Sequence, residues 1–102
     1  MEVVIDLKNC RDEKEVIRKI GETFGWVGWG ENWDALNDSL HYLDGGAVGA
    51  TKNFEFPLKI IVQNYQDFGD SQPEKFKILK EVLESNAVEY KNEGKIFEVV
   101  YA

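Results

Sequence analysis

The chain has 102 residues, 43% of them hydrophobic and 30% charged, with twelve basic against nineteen acidic side chains and a net charge of −7. A chain of that length supports one hydrophobic core and not two, so residues 1–102 are expected to form a single domain. The acidic balance speaks against nucleic-acid binding, which rests on Lys and Arg contacts to phosphate, and suits a basic protein partner drawn in by electrostatic steering.

In chain order, Val3-Val4-Ile5 is an apolar, β-branched run read as a buried strand ending near Asp6 or Leu7. The opening MEVVIDLKNC lacks the basic region and apolar segment of a secretory signal. Cys10 stands alone, so no internal disulfide can form, and a small buried hydrophobe is the expected role. Asp12 begins a helix, with Glu15 three residues later as in a capping box, and Gly25 ends it. Val16, Ile17, Ile20 and Phe24 mark its buried face.

Trp26 to Gly30 then forms a loop into a second helix. Asn32 is placed as its N-cap. Trp33, Leu36, Leu40 and Leu43 recur at three, four and three residues, which sets them on one apolar face. Glu31, Asp34 and Asp38 share a different, acidic face. Asp34 and Asp38 are neighbours one turn apart, and such a like-charge pair disfavours a helix by roughly 0.2–0.5 kcal/mol. Asp34 recovers part of that in the first turn, where the helix dipole favours anions. From the residues alone, a solvated acidic face and a binding face are both open.

Asp44 to Ala50 holds three glycines without periodicity and is expected to be a surface excursion. Leu58 to Val62 is the strongest strand candidate, entered by Pro57. Tyr65 to Phe68 fits one tight turn of helix. Ser71-Gln72-Pro73-Glu74 reads as a capping box opening a helix through about Asn86, with Phe76, Leu79, Val82 and Leu83 inward. Asn92 to Gly94 turns into a last strand, Lys95 to Tyr101, alternating around Phe97, Val99 and Tyr101. Long helical crossovers between strands imply parallel pairing. The predicted fold is therefore α/β: a small three-stranded parallel sheet packed by three to four helices, with right-handed crossovers. No run reaches the ~20 apolar residues of a membrane span. A cytoplasmic protein without membrane association, monomeric when free, is expected.

Gly30-Glu31-Asn32-Trp33-Asp34-Ala35-Leu36, followed by Asp38 and Leu40, resembles the signature of the barstar family, intracellular inhibitors of a secreted bacterial ribonuclease. The Gly-Glu-Asn-x-Asp-Ala-Leu core mixes seven positions of different chemistry, and the likeness covers most of the chain, least so from Ala47 to Phe56. The resemblance implies the same α/β fold and a ribonuclease inhibitor with no catalytic residues and no cofactor. Two helix aspartates of the family, corresponding to Asp34 and Asp38, would occupy phosphate positions in the cationic cleft of a basic ribonuclease. Trp29 would pack over the partner's catalytic groups or act as a lid on its own core, and Gly30 would allow close backbone approach. Asn37 belongs to the same partner-binding set. Here the chain departs from the family's prototype, in which an aromatic pair precedes the glycine and a tryptophan stands in place of Asn37. The family also uses an acid from the last helix, for which Glu81 and Glu84 are candidates without a motif to choose between them.

Two other readings remain. An acidic interaction or regulatory module on the same fold could bind another basic protein. Asp34, Asp38 and His41, at helical spacing, could in principle hold a metal, but no fourth donor or enclosing pocket is visible, and no metal site is assigned.

Overall fold

The computed structural model describes residues 1–43 and 54–102. The glycine-rich excursion expected from Asp44 to Ala50 lies outside the described residues. The elements run β1 (Glu2–Asp6), α1 (Glu13–Phe24), α2 (Trp33–Leu40), β2 (Leu58–Gln63), α3 (Gln66–Ser71), α4 (Pro73–Asn92) and β3 (Phe97–Tyr101). The three strands form a parallel sheet in the order β1-β2-β3. This is the predicted α/β architecture.

Alternation along the strands decides which side meets the helices. Val3, Ile5, Leu58, Ile60, Val62 and Phe97 are buried and join Val16, Ile20 and Phe24 of α1, Leu36 and Leu40 of α2, and Leu79 and Leu83 of α4 in the core. The opposite side carries a row in register, Val4 beside Ile61 beside Val100. Val4 is 44% exposed, so the apolar run Val3-Val4-Ile5 is not buried throughout. A run without alternation suggests a strand covered on both faces. Here one side of the strand end stays accessible.

Local signals explain the helix ends. Asp12 takes extended backbone, and its Oδ1 accepts from the Glu15 amide at 2.9 Å. Gly25 closes α1 with φ of 74°, a left-handed conformation that costs glycine little. Cys10 is a buried free thiol, and burial raises its pKa, in keeping with a packing role.

Three sequence expectations need correction. Ser71 does not open α4: it is the last residue of α3, and its hydroxyl donates to the Arg11 carbonyl. The N-cap of α4 is Gln72, with no side-chain capping bond and Pro73 in the first turn. The Gln72 Oε1 instead accepts from the Glu13 amide at 3.1 Å, serving the start of α1. The tight turn expected at Tyr65–Phe68 is a six-residue helix that buries Phe68. Helix α4 runs to Asn92 rather than ending near Asn86, because its buried stripe continues through Asn86 and Tyr90.

At the end of β3, the Tyr101 hydroxyl is buried without a hydrogen-bond partner among the described residues. Burial first, and the Glu84 charge second, push its phenol up to about 12. An unfolded tyrosine titrates near ~10, so the folded form holds its proton to higher pH. Its contribution is complete below pH ~10 and is lost as pH rises towards ~12. Tyr101→Phe is expected to be at least as stable as wild type at neutral pH, since it removes an unpartnered buried hydroxyl. It should also lose less stability between pH 9 and 11, measured by urea midpoints. Parallel alkaline losses in both proteins would contradict this account.

Candidate functional site

The loop from Gly25 into α2 is built on two tryptophans. Trp26 is buried and stacks on Phe24, with ring centroids 5.0 Å apart. Trp29 is half-buried and meets Trp26 edge-on at 5.2 Å. Its indole lies across Gly21 of α1, where an added Cβ would come within 2.5 Å of Trp29 Cζ2. Gly21 thus provides the seat for the ring, and Trp29 does cover part of its own core. The half that remains accessible sits beside the entry to α2. Gly28, with φ of 71°, makes the turn between the two tryptophans. That backbone conformation explains why a glycine stands there.

Gly30 is exposed, and an added Cβ would press on Ala35 Cβ at 3.2 Å. Glu31 follows with a left-handed φ of 40°. Its carboxylate lies 3.9 Å from Arg18, an exposed pair that contributes little to stability. Asn32 uses both ends of its side chain: Oδ1 accepts from the Ala35 amide at 2.8 Å, and Nδ2 donates to the Gly30 carbonyl at 2.9 Å. The cap therefore fixes the helix start and the preceding loop together.

Helix α2 has only eight residues, far fewer than the ~12–15 needed for stability alone. Tertiary contacts hold it. Leu36 and Leu40 are fully buried. Trp33 Nε1 donates to Glu13 Oε2 at 2.8 Å, and Lys75 Nζ of α4 lies 3.5 Å from the same carboxylate. At the other end, the Tyr90 hydroxyl donates to the Leu40 carbonyl and accepts from the Leu43 amide at 3.2 Å. Asn37 is half-buried, and its Oδ1 accepts from Asn86 Nδ2 at 2.9 Å.

Asp34 and Asp38 are both exposed. Neither carboxylate has a hydrogen-bond or ion-pair partner among the described residues, and Asp34 lies in the first turn. The two carboxylates stand on a short helix anchored at both ends, free to accept from an incoming cation. His41 caps the C-terminus of α2, with a buried Nδ1 that has no partner among the described residues. Among the described residues no cluster of His, Cys, Asp and Glu is arranged to hold a metal. Glu81 and Glu84 of α4 are exposed; Glu84 is close enough to Tyr101 for its charge to act on the phenol. No helix of the described residues is long and apolar enough to cross a membrane.

The structure thus brings Trp29, Gly30, Asp34, Asn37 and Asp38 onto one loop and the helix that follows it. The supporting residues Gly21, Glu13, Asn86 and Tyr90 were not picked out from sequence. Two of them had a signal: Leu79, Leu83, Asn86 and Tyr90 continue one helical stripe at spacings of four, three and four.

The family model described as Barstar (barnase inhibitor) matches residues 1–102. No curated protein matches the chain.

Proposed function

The chain belongs to the barstar family, an inhibitor family rather than an enzyme family, and on that premise we propose that it inhibits a basic, secreted-type bacterial ribonuclease by blocking its active-site cleft. It acts as a single cytoplasmic domain, monomeric until it meets its target. Asp34 and Asp38 take the positions of substrate phosphates and form charge-assisted bonds to the arginines and lysines of the cleft. The accessible part of Trp29 packs beside them as an aromatic anchor. Gly30 lets the backbone come close, and Asn37 borders the two carboxylates.

The observation that carries this reading is the pair of exposed carboxylates, unpartnered among the described residues, on a helix whose cap, core face and C-terminus are all anchored. A surface held rigid before binding loses less entropy when it docks. The net charge of −7 adds long-range attraction to a basic partner.

The test is inhibition of small basic bacterial ribonucleases by the purified chain. Stoichiometric inhibition is expected for at least one, with association slowing as salt rises from 50 to 500 mM, because steering is screened over a Debye length. Failure against every basic ribonuclease tried, together with capture of a different basic protein, would favour an acidic regulatory module on the same fold.

A further inference from the structure

A backbone carbonyl determines how the Asn37 side chain is oriented. Asn86 on α4 is fully buried, and its Nδ2 donates to the Val82 carbonyl at 2.8 Å and to Asn37 Oδ1 at 2.9 Å. A carbonyl oxygen only accepts, so the Asn86 atom facing Val82 must be its amide nitrogen. That nitrogen has two protons. One goes to Val82, and the other can be met only by the oxygen of Asn37. The opposite assignment would set two acceptors against each other at Val82.

The consequence lies on the outer side. With Oδ1 turned to α4, Asn37 must aim its Nδ2 away from the protein's own hydrogen-bond network. Among the described residues Asn86 Oδ1 is buried without a partner, whereas Asn37 Nδ2 is not one of the buried, unpartnered atoms, and Asn37 itself is half-buried. The outward face at this point therefore presents N–H donors. Asn37 is one turn after Asp34 and next to Asp38, so a donor stands among acceptors on the same helix.

Resting on the inhibitor reading above, we propose that Asn37, held by Asn86, is a specificity-determining residue that donates to an acceptor oxygen of the ribonuclease. That oxygen lies between the cations that pair with Asp34 and Asp38. A ribonuclease with a cation there would bring donor against donor and leave both unsatisfied on desolvation. The surface thus selects a cleft in which an acceptor interrupts the positive lining, not a uniformly cationic one.

Asn37→Asp tests this cleanly. It keeps the shape and the oxygen facing Asn86, replaces the donor with an acceptor, and adds negative charge. General electrostatics against a basic target would make it bind as well or better. The proposal predicts the opposite: inhibition weakened by about tenfold or more, through faster dissociation, since an unmade hydrogen bond and an acceptor–acceptor contact replace a bond. Equal or tighter inhibition by Asn37→Asp overturns it. If wild type inhibits and Asp34→Ala/Asp38→Ala does not, the inhibitor reading stands whatever Asn37→Asp does; a wild type that inhibits no ribonuclease sinks both.

The positioning role of Asn86 has its own readout. In an Asn86→Ala background the Asn37 amide can turn, so the Asn37→Asp penalty should shrink, and an undiminished penalty overturns the role. Should Asn86→Ala fail to fold, side-chain amide exchange in wild type decides. Protected Asn86 protons with fast-exchanging Asn37 protons are expected, and the reverse pattern would contradict the assignment.

Discussion

Asp34→Ala/Asp38→Ala is expected to lose tight ribonuclease inhibition by at least about three orders of magnitude while remaining as stable as wild type. Truncating one partner of a desolvated, hydrogen-bonded charge pair costs about 2–5 kcal/mol at an interface, and two such pairs are removed here. The range comes from measured interfaces, complexes of this family among them, rather than from the geometry. Stability should not follow, because both carboxylates are exposed and without partners among the described residues. Removing them relieves a like-charge pair worth a few tenths of a kcal/mol and gives up a similar dipole benefit at Asp34. Inhibition constants and urea midpoints measured on the same preparations check the separation. A double variant that still inhibits tightly would move the interface elsewhere. One that unfolds would mean the carboxylates are structural.

Leu36→Ala should show the reverse pattern. Leu36 is fully buried on the face of α2 that meets the core. Truncating a buried leucine typically costs about 2–5 kcal/mol, through lost transfer energy and the cavity left behind. A helix of eight residues cannot compensate through its own propensity. The expected result is a urea midpoint lowered by a large fraction of the total stability. Inhibition per folded molecule should fall far less than in the double aspartate variant. A Leu36→Ala protein as stable as wild type would show that α2 is not anchored through this side chain.

The contrast between these two variants follows from one helix having two faces, and that much was legible in the sequence. A three-four spacing of Trp33, Leu36 and Leu40 against the four-residue step from Asp34 to Asp38 needs only the helical period, and Asn32 announces the start through its own side chain. Asp12 and Gly25 were readable for the same reason: caps act within a few residues. What could not be read depends on distant partners. Ser71 looked like a cap, but its hydroxyl bonds to Arg11, sixty positions away in the chain. Helix α4 was expected to run only through about Asn86, and asparagine is disfavoured in helix interiors. Burial against Asn37, 49 positions earlier, reverses that expectation. The seat of Trp29 on Gly21 has no local signature, because a missing side chain matters only when another residue fills the space. Val4 shows the opposite limit, an apolar run whose middle residue faces outward once its register beside Ile61 is known.

Contact through the acidic face of α2 and the Trp29 loop would leave a footprint in the complex. Amide hydrogen exchange of the chain would be followed alone and with a saturating basic ribonuclease that it inhibits. Protection concentrated from Trp29 to Asp38, with little change along β1 and the Val4–Ile61–Val100 row, is the predicted result. Protection centred on that sheet row, or on the α4–β3 side where Val88 and Ile96 are exposed, with 29–38 unchanged, would contradict it.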